Sequence, residues 1–297
     1  MILRIILMSS FLITGSEGQL GRCFQAVAQE FPEHQLIFAK KAKVNITLPG
    51  TIEKAYQLQP FDGIINCAAY THVDQAEEES NLAHLVNVKG IKNIIDFAEE
   101  KALTVIHFST DYVFDGSITK PYKENFPTQP LNFYGDSKFQ GEEIVKKASC
   151  PHIIFRLSWM FSPFGKNFVK NILKLSNTTK YIKVVNDQKG RPTYGIDLAR
   201  VVLGSISKPD LFDYNCYHYA MQGATSWFDF ASKIVSIIKS PCEIKPCSTA
   251  EFSSLAIRPK QSILDTKLIE NHLSLSISSW EDALERCLKR IEINEYL

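Results

Sequence analysis

Short apolar runs recur along the first half of the chain, at Phe11 to Thr14, Leu36 to Ala39, Gly63 to Cys67, Thr104 to Ser109 and Ile153 to Leu157. Stretches of helical pattern separate them. The longest, Ser80 to Lys101, sets Leu82, Leu85, Val86, Ile91, Ile94, Ile95 and Ala98 at roughly the spacing of one helix face. Strands alternating with helices at this interval write a parallel sheet joined by crossover helices. The expected fold class is therefore α/β, a doubly wound parallel sheet of the Rossmann type.

After Trp159 the rhythm loosens, and Pro163, Pro192, Pro209, Pro241, Pro246 and Pro259 divide the chain into short pieces. Helical patterns persist at Asp197 to Ser207, Trp227 to Lys239 and Trp280 to Ile293, with no repeat of fixed period. A second, smaller unit is implied. Residues 1–157 plus 194–220 are assigned to the sheet domain and 158–193 plus 221–297 to a C-terminal substrate domain. Ligand is expected in the cleft between them, beyond the carboxyl ends of the strands.

With 45% hydrophobic and 22% charged residues among 297, the chain is not disordered as a whole. Lys and Arg total 33 against 32 for Asp and Glu, a formal net charge of +1. No global field is available to hold nucleic acid or an anionic membrane, so the expected partner is a small molecule. Cys23, Cys67, Cys150, Cys216, Cys242, Cys247 and Cys287 are odd in number and form no C-x-x-C pair, which fits reduced thiols in the cytoplasm. The histidines show no H-x-x-x-H spacing, so no metal site is read. The apolar start, Met1 to Ile13, is short and interrupted by Ser9 and Ser10; it predicts a buried first strand rather than a signal segment. Met8 leads directly into that strand, which makes residues 1–7 a candidate extension.

Strand one runs into Thr14-Gly15-Ser16-Glu17-Gly18-Gln19-Leu20-Gly21 and then into a helical stretch, Arg22 to Phe31. In that position Gly15 permits a tight turn, Gly18 lets backbone N–H groups approach a pyrophosphate, and Gly21 lets the helix pack closely on the strand. A dinucleotide site is the reading. After the second strand, where NAD-binding chains usually carry an acidic residue, the sequence has Lys40, Lys41 and Lys43. Charge complementarity with a 2′-phosphate favours NADPH, with NADH open, and a solvated basic turn is the plainer alternative.

Tyr134-Gly-Asp-Ser-Lys138 sets a phenol and an ammonium four residues apart, on one face of a helix. The chemistry calls for such a neighbour. A tyrosine with its ordinary pKa of about 10 is a poor acid-base catalyst at neutral pH, and a cation about 4 Å away is worth up to about 4 kcal/mol at an effective dielectric of about 20. The expectation is a phenol made markedly more acidic by Lys138. Alone, such a pair is more often a helix-surface contact. Context gives it weight, because strand four ends in His107-Phe-Ser-Thr-Asp-Tyr-Val-Phe-Asp-Gly116 and delivers Ser109 and Thr110 to the carboxyl edge of the sheet. A hydroxyl there can donate to a carbonyl oxygen as negative charge develops.

Taken in order, the glycine loop, Asn66-Cys-Ala-Ala-Tyr-Thr-His-Val-Asp-Gln-Ala-Glu77, Ser109-Thr-Asp-Tyr-Val-Phe-Asp-Gly116, Tyr134-Gly-Asp-Ser-Lys138 and Arg156-Leu-Ser-Trp159 resemble the dTDP-4-dehydrorhamnose reductase family. That family belongs to the extended short-chain dehydrogenases/reductases. Asn186-Asp-Gln-Lys-Gly-Arg-Pro-Thr193 and Arg258-Pro-Lys-Gln-Ser-Ile-Leu-Asp265 extend the likeness over nearly the whole chain. The resemblance implies an oxidoreductase of dTDP-rhamnose and lipopolysaccharide biosynthesis. It would reduce the C4 keto group of a dTDP-4-dehydro-6-deoxy-L-hexose with NADPH, to dTDP-L-rhamnose or a close dTDP-6-deoxy sugar.

The resemblance also implies roles. Tyr134 is the proton donor, Lys138 lowers its pKa and holds the nicotinamide ribose, and Thr110 polarises the keto oxygen. Gly18, Gln19 and Leu20 would line the pyrophosphate, Ala69, Tyr70, Thr71 and Ser109 the rest of the cofactor, while Val73, Asp111 and Trp159 face the sugar nucleotide. Asn45 and Ile46 stand on the adenine side, where members usually carry an Asp and an apolar residue. In some relatives a glutamate two residues after the third glycine helps bind a divalent ion that bridges a dimer. Cys23 stands there, so no such metal is expected, and a homodimer is left open.

Plainer readings stand beside these. Trp159 also suits core filling, and Asp74, Glu77, Glu78 and Glu79 suit the positive end of a helix better than a ligand cluster. Another sugar-nucleotide reductase or epimerase shares the same requirements. The regulatory β-subunit of methionine adenosyltransferase is similar to this family, and would make the chain a binding partner instead of an enzyme.

Overall fold

The strands form where the apolar runs predict them. The computed structural model describes residues 9–295, with side chains described through Ile291, so the question of a start at Met8 lies outside the described residues. Strands β1 (Ser9–Thr14), β2 (His34–Phe38), β3 (Gly63–Asn66), β4 (Thr104–Thr110) and β5 (His152–Leu157) lie in one parallel sheet. Helices α1 (Gln19–Val27), α2 (Pro49–Leu58), α3 (Gln75–Glu78), α4 (Ser80–His84), α5 (Gly90–Lys101) and α6 (Phe133–Lys146) fall between them.

The remainder is built of shorter pieces. It contains β6 (Met160–Phe161), α7 (Phe168–Ser176), β7 (Tyr181–Val185), β8 (Lys189–Gly190), β9 (Thr193–Tyr194), α8 (Gly195–Ser205) and β10 (Cys216–Tyr219). After them come β11 (Thr225–Ser226), α9 (Trp227–Ile237), β12 (Glu243–Cys247), α10 (Lys267–His272) and α11 (Trp280–Glu295). Strand β10 returns to the main sheet beside β5, giving the order β10-β5-β4-β3-β1-β2. The chain leaves β1 toward β2 on one side and β3 on the other. The order therefore reverses at β1, where an open α/β sheet makes its ligand crevice.

Alternate residues of each strand bury opposite faces. Phe11, Ile13, Ile65, Ile106, Phe108 and Phe155 point toward the side covered by α1 and α8. Leu12, Ile64, Val105 and Ile154 meet Ile52, Ile91, Ile94, Ile95 and Val145 from α2, α5 and α6. The first of these cores runs on without a break through Phe161, Val169, Phe230, Trp280 and Leu284, so the C-terminal elements share the sheet's hydrophobic core.

The stretch expected as one helix from Ser80 to Lys101 departs from that pattern. Between α4 and α5, Leu85–Lys89 forms a π turn. Asn87 accounts for it: its side chain accepts from the Tyr70 amide at 2.9 Å and donates to the Tyr70 carbonyl at 3.0 Å and to Ser137 at 3.0 Å. The wider turn swings Asn87 inward to satisfy those groups. Leu82 and Leu85, read from spacing as core, are instead exposed, while Ile91, Ile94 and Ile95 remain buried.

Helix α6 is fixed to the sheet by a buried ion pair. Arg156 on β5 donates twice to Glu142, at 2.9 and 2.7 Å, and neither side chain is more than 2% exposed. The Arg156 guanidinium also reaches the Glu124 carbonyl at 3.1 Å and lies 5.1 Å from the Phe114 ring centre. Removing one partner of such a pair strands a charge. Arg156→Met is expected to destabilise the fold by about 3–5 kcal/mol, and Arg156→Met with Glu142→Leu by much less. Urea unfolding of the two variants checks this, and equal losses would refute it.

Candidate active site

Three glycines shape the crevice over β1. Gly15 has φ of +61°, and a Cβ there would lie 2.8 Å from the Ala68 backbone at the end of β3. A Cβ on Gly21 would lie 2.5 Å from the Gly15 carbonyl and from Ser16 Cα, so α1 can begin against the loop only where side chains are missing. Gly18 caps α1 with no side-chain bond to its first-turn amides. Those amides and the positive helix end form a cradle for an anion such as a pyrophosphate, and the residues present fit a dinucleotide. Lys40 stands beside this loop with its ammonium 3.0 Å from the Glu17 carboxylate.

At the carboxyl edge of β4, Thr110 and Asp111 meet the first turn of α6. Thr110 ends the strand and accepts from the Tyr112 amide at 3.2 Å while donating to Asp111 at 3.1 Å. Tyr134, on the first turn of α6, lies beside Thr110, and its ring meets Tyr112 edge-on at 5.9 Å. Lys138, one turn further along α6, is buried and donates to the Phe108 carbonyl of β4 at 2.6 Å. Asn132 caps α6 by accepting from Gly135 N–H at 2.8 Å, and its amide donates to the Ile257 carbonyl at 2.8 Å.

The charges of these groups are set mainly by burial. Burial pushes the Tyr134 phenol up to about 12; the Thr110 hydroxyl works against that and the Asp111 charge adds to it. Burial pushes the Lys138 amine down to about 8, with Glu142 opposing. Burial also raises the Asp111 carboxyl to about 7, against the Ser262 and Thr110 hydroxyls. Burial thus outweighs the acidification expected of Lys138. The ammonium is engaged with the Phe108 carbonyl, and dehydration of the phenol prevails.

Comparison with known proteins decides the family. Residues 8–293 match the model of the RmlD substrate binding domain. The chain belongs to the RmlD family. A dTDP-4-dehydrorhamnose reductase of Aggregatibacter actinomycetemcomitans is 35% identical over 287 residues, 94% of this chain and 98% of the relative. Among solved structures, the dTDP-4-dehydrorhamnose reductase of Bacillus anthracis in complex with NADP is 36% identical with a TM-score of 0.90, covering 95% of this chain and 99% of that one. A reductase of the same name from Clostridium acetobutylicum gives 35% identity and a TM-score of 0.90 over the same shares.

Within this RmlD-family fold the other anticipated residues fall into two groups. Ala69, Thr71 and Val73 line the loop after β3 with partial or full exposure, and Gln19 donates to the Met160 carbonyl at 3.2 Å. Leu20 and Ile46 are buried, with the Ile46 side chain packed against Gly90. Asn45 bonds within its own turn, to Thr47. Tyr70 turns inward to donate to Glu79 at 2.6 Å, and Ser109 is buried behind the strand edge. For these inward side chains a ligand would meet backbone rather than side chain.

The acidic run after β3 holds neighbouring segments more than its own helix end. Asp74 makes no cap bond; it takes both Arg258 nitrogens, at 3.0 and 2.6 Å, and Glu77 accepts from Phe133 N–H at 3.0 Å. Asn87, Asn132 and Arg258 support the site although spacing gave them no role. A sequence signal exists for Asn132 alone: Asn three residues before Gly135 at a helix start is a cap. Asn132→Ala is expected to cost about 1 kcal/mol of stability, and Asn132→Ser, which keeps a cap acceptor without setting a charge against the Ile257 carbonyl, less. Denaturant midpoints check the pair; identical midpoints for the two would refute the cap.

Proposed function

We propose that this chain reduces the C4 keto group of a dTDP-4-dehydro-6-deoxy-L-hexose with NADPH, giving dTDP-L-rhamnose or a close dTDP-6-deoxy sugar. The observation that carries the reading is that Tyr134 and Lys138, on successive turns of α6, lie against Thr110 and the Phe108 carbonyl at the end of β4, beside an uncapped glycine-loop helix, in a chain of the RmlD family. Support for the substrate class and for NADPH comes from the relatives named above.

NADPH, when bound, supplies the hydride. Tyr134 donates its phenolic proton to the C4 oxygen as that oxygen becomes an alkoxide, and becomes a phenolate. The Thr110 hydroxyl, turned from Asp111 toward substrate, donates a hydrogen bond to the same oxygen. Lys138 sets a positive charge one helical turn from the phenolate and steadies it. Asp111 and Val73 would face the sugar nucleotide, as the resemblance implies. Lys40 pairs with Glu17 of the glycine loop, and its exchange from Glu17 to a 2′-phosphate would favour NADPH over NADH.

The cytoplasm is the proposed compartment, since all seven cysteines are free thiols. Among the described residues no helix is long and apolar enough to cross a membrane.

Two measurements test the assignment. Tyr134→Phe is expected to lower turnover at least about a hundredfold, as for loss of a general acid, with NADPH binding retained. Undiminished turnover would remove Tyr134 from its role. In the wild type, the Lys138 ammonium is present below a pH of about 8 and is lost as pH rises through it, whereas the phenol keeps its proton to about 12. The rate of reduction is thus expected to hold through neutrality and fall above pH of about 8. A profile that stays flat well beyond that point would exclude the charge of Lys138 from catalysis.

A further inference from the structure

Residues 256–258 come from the C-terminal part of the chain and touch three segments of the sheet domain that border the catalytic edge. The Ala256 amide donates to Asp74, on the loop after β3, at 3.1 Å. The Ile257 carbonyl accepts from Asn132 at 2.8 Å, and Asn132 is the cap of the helix that carries Tyr134. The Arg258 guanidinium gives two nitrogens to the two oxygens of Asp74, at 3.0 and 2.6 Å, and lies beside Tyr112, just past the end of β4.

Tyr112 is thereby enclosed between Arg258 and the first turn of α6. Its ring meets that of Tyr134 edge-on at 5.9 Å, and its carbonyl stands where any Cβ on Gly135 would strike it. Phe133 N–H, next to Tyr134, returns to the loop after β3 by donating to Glu77 at 3.0 Å. The contacts form a closed circuit around the start of α6.

Apolar burial does not hold residues 256–258 in place. Leu255 and Ile257, on either side of the buried Ala256, are 62% and 66% exposed. Downstream the chain is anchored separately: Pro259 lies against Gly116, and Lys260 and Ser262 pair with Lys189 of β8 at 2.8 and 2.9 Å. The bonds to Asp74 and Asn132 therefore keep the segment on the catalytic edge. A guanidinium suits the place, because its planar fork takes both carboxylate oxygens and leaves a further edge for Tyr112.

We infer that Arg258 is a positioning residue for the proton donor: held by Asp74, it fixes Tyr112 against the first turn of α6 and so sets where the Tyr134 hydroxyl stands. This role rests on the proposed reduction, in which Tyr134 gives its proton to the C4 oxygen. Arg258 acts through Tyr112 and not on the ligand, so its loss slows proton delivery and leaves ligand affinity in place.

Steady-state kinetics and NMR on the full chain test this. Arg258→Met is expected to lower kcat at least about tenfold, because small displacements of a catalytic group are costly, with KM for the dTDP-sugar and for NADPH each changed less than about threefold. Added to Asp74→Asn, Arg258→Met should cost less than it does alone, since the guanidinium works only while Asp74 holds it. With tyrosine isotopically labelled at Cζ, the Tyr134 signal, identified by its absence in Tyr134→Phe, should shift or broaden in Arg258→Met. Should Arg258→Met fold poorly, Asp74→Asn gives the same two readouts with the guanidinium still present.

A merely structural role would lower the urea midpoint and leave both kcat and the Tyr134 signal of the folded variant in place, and that result overturns the inference. So does a rise in KM for the dTDP-sugar with kcat retained, which would make Arg258 a contact of the ligand. Absence of turnover in the wild type would fall on the proposed reduction instead, and the Tyr134 signal would still decide the positioning.

Discussion

The chemistry of this chain depends on seating one helix against the end of one strand while burying an ammonium between them. Lys138 loses its water to do so, and a buried cation is tolerable only when it is bonded. The Phe108 carbonyl at 2.6 Å supplies that bond. A turn further on, Glu142 meets Arg156 in an almost fully enclosed pair. The helix is bare where it comes close to its neighbours: a Cβ on Gly135 would strike the Tyr112 carbonyl, and one on Gly141 would lie 2.5 Å from the Asn87 carbonyl. Tyr134 owes its place beside Thr110 to this whole arrangement rather than to any contact of its own.

Burial moves the phenol and the amine in opposite directions, each toward its uncharged form. At neutral pH the phenol keeps its proton and the amine, at about 8, still carries its charge. A proton donor that holds its proton until an alkoxide arrives is well suited to reduction, where the demand is for an acid. The more acidic phenol expected from spacing alone would have suited the reverse reaction better. Spacing conveys proximity and says nothing of dehydration, which is why the two disagree.

Much of the architecture could be read beforehand because both faces of a parallel sheet are buried, and a continuous apolar run as short as Ile153 to Leu157 suits an inner strand better than any other element. The glycine loop was legible for a similar reason: Gly15 and Gly21 stand where any side chain would strike backbone. What escaped was carried by polar side chains with distant partners. Asn87 bends a helix by bonding Tyr70, and Arg258 reaches Asp74 across 184 positions in sequence. Nothing local to either residue announces its partner. Trp159 was legible as either core or ligand wall; its backbone angle and the Trp227 ring stacked on it were invisible in sequence.

The widened turn at Leu85–Lys89 makes this segment unusually sensitive to where its length changes. A π turn holds one residue more than the α-helix it interrupts, and the flanking helices keep the faces that a chain one residue shorter would give them. Loss of one residue inside the turn could therefore be absorbed by closing it, with Ile91, Ile94 and Ile95 still in the core. The same loss further along α5 would rotate everything beyond it by about 100° and carry apolar side chains into water. Closing the turn spares the fold and withdraws Asn87 from Tyr70 and Ser137, so the extra residue serves the groove rather than the scaffold.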